Sequence, residues 1–379
     1  MQDSNTGRPT QAEISLENLA FNLNSARDFI GREIRVMGVV KADTYGHGAV
    51  ECARRLEAEN IDWLAVALPE EGIELRKSGI RSPILCLGGF WSGQESLLLE
   101  HDLTPVVYRI EDAERLNEIA EKRGVLKDVH VKIDTGMGRV GVRYDAVSEF
   151  AGQMVAFPAL NIDGLMTHFA SADDLNETAF TNLQIERFEK AVDIFRSFGF
   201  HPTNIDLANS PGAIVHPTSR GNMVRLGGIL YGLGDDVLPG EAAKPEFQPV
   251  LSLRTQIAHL KTVPKGETLG YGRTFTTVRD SLIATIPVGY ADGYSRRLSG
   301  TGRAIVNGKL VPTAGRISMD WTLLDVTDAI GVAVGDEVTM IGRSGNFEIR
   351  ASELAALTGT ISYEITCGIG KRVPRKFDI

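Results

Sequence analysis

The stretch Val39-Val40-Lys41-Ala42-Asp43-Thr44-Tyr45-Gly46-His47-Gly48 places a primary amine where an apolar run ends. Burial disfavours the ammonium form, and an amine held neutral is a nucleophile able to condense with an aldehyde. A strand-end lysine that snorkels its charge into water is the competing reading. A second group of residues bears on the choice. Gly227-Gly228 follow Arg225, and Ser210-Pro211-Gly212 open the segment before it. Glycines let backbone N–H groups approach an anion closely, although glycines at strand ends also make plain turns. No GxxxxGK[ST] loop is present, which speaks against a nucleoside triphosphate. A lysine suited to a Schiff base beside a phosphate cup calls for an aldehyde that carries a phosphate, and pyridoxal phosphate is that molecule.

Three further segments carry mixed chemistry. Lys132-Ile133-Asp134-Thr135-Gly136-Met137-Gly138-Arg139 ends an apolar run in a glycine-rich turn bearing a guanidinium. Gly270-Tyr271-Gly272-Arg273-Thr274-Phe275 sets a tyrosine between two glycines, where it can project freely. Gly315-Arg316-Ile317-Ser318-Met319-Asp320 forms another exposed loop. As an isolated string, each reads first as a hairpin turn, and a functional role is the lesser reading.

The elements that must position these residues alternate along the chain. Apolar strand-like runs fall at 35–41, 63–67, 83–88, 103–107, 129–134, 162–168, 205–209 and 223–227. Helical patterns lie at 14–30, with Ser15 as N-cap, and at 47–58, 69–78, 111–123, 145–155 and 176–198. The alternation predicts βαβ units and a parallel sheet, and its length matches a (β/α)8 barrel. A doubly wound sheet is the alternative, but its GxGxxG turn is missing. Lys41, Asp134–Arg139, His168, Asn209-Ser210 and Arg225 all stand where strands end, as barrel active sites require.

After about residue 235 the texture changes. A segment rich in proline, glycine and charge leads into short runs at 251–260, 281–288, 303–306, 310–313, 322–326 and 336–341. Asn307-Gly308 marks a hairpin. The expected fold class is α/β: an N-terminal (β/α)8 TIM-like barrel over 12–240, then a mainly antiparallel β domain over 241–379. The segment 1–11 is a candidate contributor to the latter. Residues 351–357 form its expected single clear helix, capped near Ser352.

Composition narrows the function classes. The 379 residues are 43% hydrophobic and 23% charged, with net charge −9 and an isoelectric point near 5.4. An acidic chain of this kind is no nucleic-acid binder by charge. Cys52, Cys86 and Cys367 make no CxxC pair, which points to a reducing compartment and no structural zinc. Met1 to Gln11 lacks the apolar core of a signal peptide, and no apolar run reaches the roughly 18 residues of a membrane span. The expectation is a cytoplasmic protein with no metal.

Lys41–Gly48 closely resembles the lysine signature of bacterial alanine racemases, the fold type III pyridoxal-phosphate enzymes. Asp134–Arg139, Met166–Phe169, Asn209–Gly212, Arg225–Gly232, Gly270–Phe275, Val288–Arg296, Gly315–Asp320 and Thr360–Arg375 match the same family in order and spacing. The resemblance covers nearly the whole chain, and the motifs together are highly specific. It implies that Lys41 holds the cofactor as a Schiff base and acts as one acid/base, with Tyr271 the other on the opposite face of the substrate Cα. Removing a proton from one side and returning one to the other suits two bases. In the family the tyrosine comes from the β domain of a second subunit, so a homodimer with two shared sites is implied.

Arg225 would hydrogen-bond the pyridine nitrogen and leave it unprotonated, because a guanidinium accepts no proton. His168 would sit between Arg225 and Tyr271 and tune the tyrosine. Arg139 would contact the cofactor phenolic oxygen and the substrate carboxylate, which the Met319 N–H also anchors. Tyr45, Ser210, Gly227, Gly228 and Tyr363 would contact phosphate, and Asp173, Tyr290 and Arg316 would line the entrance. Lys132 matches a position that is a candidate for carbamylation, then bracing Arg139. His47 reads as a structural residue of its turn. Thr44, Gly228 and Ser318 depart from the common pattern (alanine, a larger apolar residue and cysteine), and none removes a reacting group.

Alternatives on this architecture are an amino-acid decarboxylase, a racemase of broader specificity, and a non-catalytic pyridoxal-phosphate carrier. Decarboxylases of this fold pair the ring nitrogen with a carboxylate, where Arg225 stands here. Single-barrel carriers lack a β domain bearing a residue such as Tyr271. By the same resemblance, Tyr363 would fill space near the substrate methyl and favour alanine over larger side chains.

Overall fold

Eight apolar runs become the eight parallel strands of a closed barrel in a computed structural model, which describes residues 7–240 and 242–378. They are β1 (Arg35–Val39), β2 (Trp63–Val66), β3 (Ile84–Cys86), β4 (Thr104–Val107), β5 (Lys127–Asp134), β6 (Leu160–Met166), β7 (Asn204–Asp206) and β8 (Met223–Leu226). Each pairs with the next, and β8 closes on β1 with Arg225 opposite Met37. Val36, Met37 and Val39 of β1 are all buried, because a barrel strand faces side chains inside and helices outside. That is why β1 to β4 read as short apolar runs, whereas β5 and β6 carry polar residues in alternation.

The barrel unit comprises Leu19–Thr44 and Ala49–Phe247. Its helices start and stop where local chemistry dictates. Pro69 opens Pro69–Lys77, and Glu71 of the first turn accepts the Ala67 and Leu68 N–H groups. Ile110–Arg123 ends at Gly124, whose φ of 64° is a left-handed cap. The helix Glu95–Glu100 carries no sequence signal, being under two turns long.

The second unit comprises Met1–Asn18, Tyr45–Gly48 and Gln248–Ile379. Residues 1–6 of the segment considered above lie outside the described residues. From Gln11, the chain adds a strand, Gln11–Ile14, between Leu251–Gln256 (antiparallel) and Arg375–Phe377 (parallel). The sheet continues through Glu337–Ser344, Arg303–Val306 and Lys309–Pro312. Asn307 and Gly308 both take positive φ, 46° and 69°, as their hairpin demands. A separate antiparallel sheet holds His259–Val263, Ser281–Ile286 and Thr322–Asp325.

Several sequence expectations need correcting here. The run read as one strand over 251–260 is two strands in different sheets, broken after Gln256. Ala351–Thr358 is not the unit's single helix, since Ser362–Cys367 follows, and its N-cap is Arg350 with no side-chain cap rather than the Ser352 region. The first barrel strand stops at Val39, so Lys41 opens the short helix Lys41–Gly46 instead of closing the strand. Ser15 does cap its helix, accepting the Asn18 N–H at 3.3 Å.

Candidate active site

Beyond β1 the backbone turns through a left-handed coil. Ala42, Asp43, Thr44 and Tyr45 have φ of 53°, 52°, 57° and 54°, followed by Gly46 at 85°. Such a run costs L-residues about 1–2 kcal/mol each, so it persists only where its surroundings hold it. Glu71 accepts the Ala42 N–H at 2.6 Å, and Asp43 accepts the Ala49 N–H at 2.7 Å. The turn aims the half-buried Lys41 while keeping the chain close to β1.

The other strand ends supply cations. Arg225, on β8, is buried and forms a short ion pair with the fully buried Asp206 of β7. Its Nη2 also donates to the Thr167 carbonyl at 2.7 Å and lies 3.4 Å from His168 Nδ1. A guanidinium only donates, so Nδ1 accepts and the imidazole hydrogen resides on Nε2. Burial first, then the charge of Arg225, holds His168 well below its ordinary range, and the ring is neutral at pH 7. Lys132 of β5 is buried, and its ammonium is pushed down to about 8 by burial, then by Arg225, Arg139 and Lys41. Asp206 is the counter-charge that opposes this push, while burial raises its own carboxyl. The barrel therefore brings the charges of Arg225, Arg139 and Lys41 to bear on Lys132, with Asp206 as the counter-charge, a field that favours anions.

Anion-facing backbone is built nearby. Asn209 caps Ser210–Val215 by accepting the Gly212 N–H. Ser210 Oγ accepts the Gly227 N–H at 3.0 Å, which leaves the hydroxyl hydrogen to donate elsewhere. Arg139 is exposed on a loop pinned by Asp134, whose Oδ1 accepts the Gly136 and Gly138 N–H groups at 3.0 Å. Asp173 is exposed beyond β6.

The β unit carries the remaining residues. Tyr271 is 70% exposed on a tight turn between the paired strands Thr268–Leu269 and Phe275–Thr276. Gly270 and Gly272 flank it with φ of 72° and 70°, and a Cβ on Gly272 would meet the Arg316 guanidinium at 2.9 Å. Gly270, Tyr271, Arg316, Ser318, Trp321 and Leu323 line an open groove of about 380 Å³. Tyr290 and Met319 are exposed on adjoining loops joined by Tyr290 N–H to Ser318 carbonyl, 3.1 Å, and Ala291 N–H to Met319 carbonyl, 3.0 Å. Tyr45 and Tyr363 pack with ring centroids 5.3 Å apart. Arg375 donates from Nε and Nη2 to the Gly46 carbonyl, at 3.0 and 2.9 Å.

Comparison with known proteins settles the lineage. Residues 14–235 match the family model "Alanine racemase, N-terminal domain" and residues 250–377 match "Alanine racemase, C-terminal domain". The chain belongs to the alanine racemase family. An alanine racemase of Halothermothrix orenii is 44% identical, with 98% of this chain and 97% of that one aligned. The alanine racemase of Clostridium difficile 630 superposes with a TM-score of 0.92 at 38% identity, covering 98% and 96% of the two chains. That of Bacillus anthracis with bound L-Ala-P gives 0.90 at 34% identity, covering 99% and 96%. The reaction is accordingly the isomerisation of L-alanine and D-alanine.

Two residues beside the candidate site went unread in the sequence. Asp206 lies inside the apolar run 205–209, where an acid is itself a signal, because a buried carboxylate needs a cationic partner. Glu71 looks like an ordinary first-turn helix acid until its bond to Ala42 is seen. Among the described residues, no group of three or more His, Cys, Asp or Glu side chains could hold a metal ion, and no helix is long and apolar enough to cross a membrane.

Proposed function

We propose that the chain racemises alanine with pyridoxal phosphate, using Lys41 and the partner subunit's Tyr271 as bases on opposite faces of Cα. The observation that carries this reading is the half-buried Lys41 amine among Lys132, Arg139 and Arg225, with Asp206 as buried counter-charge. The residues fit the cofactor: an amine for its aldehyde, the uncommitted Ser210 hydrogen for its phosphate, and a guanidinium for its ring nitrogen. When bound, pyridoxal phosphate supplies the electron sink that makes the Cα proton acidic.

In this reading Lys41 holds the aldehyde and moves a proton on one face. Tyr271, projected by its glycine-flanked turn, moves one on the other. His168 accepts from Arg225 through Nδ1, so its Nε2–H is available to steady a phenolate, whose ordinary pKa near 10 is otherwise too high. Arg225 donates to the ring nitrogen and delivers no proton, which restrains side reactions such as transamination. Arg139 and the Met319 N–H bind the substrate carboxylate. Tyr45, Ser210, Gly227, Gly228 and Tyr363 form the phosphate cup, although the Gly227 N–H is already given to Ser210. Asp173, Tyr290 and Arg316 line the entrance. Lys132, with an ammonium near 8, keeps about a tenth of its amine neutral at pH 7, the form that adds carbon dioxide to become a carbamate able to brace Arg139. The working form is a homodimer in a reducing cytoplasm, and its D-alanine would serve peptidoglycan synthesis in a bacterium.

The test is proton exchange at Cα in deuterated water, started from each pure enantiomer. Tyr271→Phe should abolish racemisation yet keep exchange from one enantiomer, served by Lys41. Equal loss from both enantiomers, or no loss, would remove the two-base assignment.

A further inference from the structure

An ionic cluster in the β unit has no part in the roles given above. Asp292 is fully buried at the end of the turn Tyr290–Asp292. Its Oδ2 accepts the Gly289 N–H at 3.0 Å, and its Oδ1 faces Arg8 at 2.7 Å and Arg372 Nε at 3.5 Å. Arg372 reaches on through Nη2 to Asp320 Oδ1 at 2.7 Å, and Arg8 donates to the Arg372 carbonyl at 3.1 Å. Two acids and two arginines thus neutralise one another, with Arg372 bridging the acids. A buried carboxylate is retained only when paired in this way.

The cluster grips both flanks of Met319. On one side, Asp292 shapes the 289–291 turn, whose N–H groups at Tyr290 and Ala291 bind the Ser318 and Met319 carbonyls. The approach is so close that a Cβ on Gly289 would fall 2.3 Å from the Met319 oxygen. On the other side, Asp320 follows Met319 directly. A trans peptide points its N–H opposite its C=O. With the Ser318 carbonyl held at Tyr290, the Met319 N–H is forced to point away from the turn, and within the described residues it has no hydrogen-bond partner.

We infer that Arg372, tying Asp292 to Asp320, is a positioning residue that aims the Met319 N–H at the substrate carboxylate. The inference rests on the carboxylate role proposed for Met319. Arg372 is half-exposed, so its replacement leaves Asp292 paired with Arg8 and the fold intact.

The test compares holoenzyme with Arg372→Ala and Arg372→Lys. Propionate, which is alanine without its amine, probes the carboxylate anchor as a competitive inhibitor. Ethylamine, alanine without its carboxylate, probes the rest of the site. Arg372→Ala should raise KM for both enantiomers and the propionate inhibition constant together, about 3–10-fold, one hydrogen bond's worth. Turnover should stay within about twofold, and ethylamine affinity and the cofactor's visible spectrum should not move. Arg372→Lys should recover part of the loss. Unchanged propionate inhibition, or an equal loss of ethylamine affinity, overturns the inference while wild-type racemisation keeps the functional reading intact. A wild-type protein that does not racemise alanine overturns both.

Discussion

At the scale of single residues, charge placement governs both chemistry and stability. Lys132 is buried with its ammonium pushed down to about 8, against 10.5 for an unperturbed lysine. Below pH 8 the folded and unfolded chains both carry this proton, and the folded chain bears the full cost of a buried charge among cations. Between pH 8 and 10.5 only the unfolded chain keeps it, so stability rises with pH through that window. The difference amounts to about 3 kcal/mol. In carbon-dioxide-free buffer, Lys132→Met should therefore be the more stable protein in urea denaturation at pH 7, with the gap closing towards pH 10.5. A gap that is absent or widens with pH would contradict the burial of a charged Lys132. Lys41, Arg139, His168 and Arg225 were legible because polar residues repeatedly interrupt apolar runs where barrel strands end. The lowered titration of His168 and Lys132 was not, since it comes from burial and from cations on separate strand ends, and sequence gives no distance between those ends.

At the scale of elements, the left-handed turn after Lys41 is where sequence reasoning had least to hold. Ala, Thr and Tyr disfavour positive φ, and only Asp43, weakly, and Gly46 hint at it. By contrast, barrel strands buried on both faces advertise themselves as apolar runs, and Asn307-Gly308 names its own hairpin. Elements of under two turns, such as Glu95–Glu100 and Ser362–Cys367, have too few residues for periodicity to register. The strain makes a signed prediction. Ala42 is exposed, so Ala42→Gly should stabilise the protein by about 0.5–1 kcal/mol, relief of the left-handed penalty outweighing glycine's extra unfolded-chain entropy. Gly46→Ala should do the reverse by more than about 2 kcal/mol, because its Cβ would lie 2.2 Å from the Thr366 carbonyl oxygen. Denaturant midpoints of the two variants, moving in opposite directions from wild type, are the measurement.

At the scale of the whole molecule, the question is where the second base comes from. Tyr271 is 70% exposed, and Met319, Trp321 and Tyr290 on the same unit are 52%, 47% and 41% exposed. A base left in open water is held against no substrate, and exposed aromatics with a methionine are the side chains that interfaces collect. This exposure is accounted for if the surface meets the barrel of a second copy and supplies Tyr271 to the site there. A two-fold dimer then holds two sites, each built from one chain's Lys41 and the partner subunit's Tyr271. Complementation tests this directly. Lys41→Ala and Tyr271→Ala homodimers should each be inactive in racemisation. Unfolded together and refolded with pyridoxal phosphate, half the dimers would be mixed, and each mixed dimer would contain one site with both native bases. Recovered activity should approach about a quarter of wild type, set by random pairing in a two-fold dimer. Sites contained within single chains would give no recovery at any mixing ratio, because every chain then lacks one base.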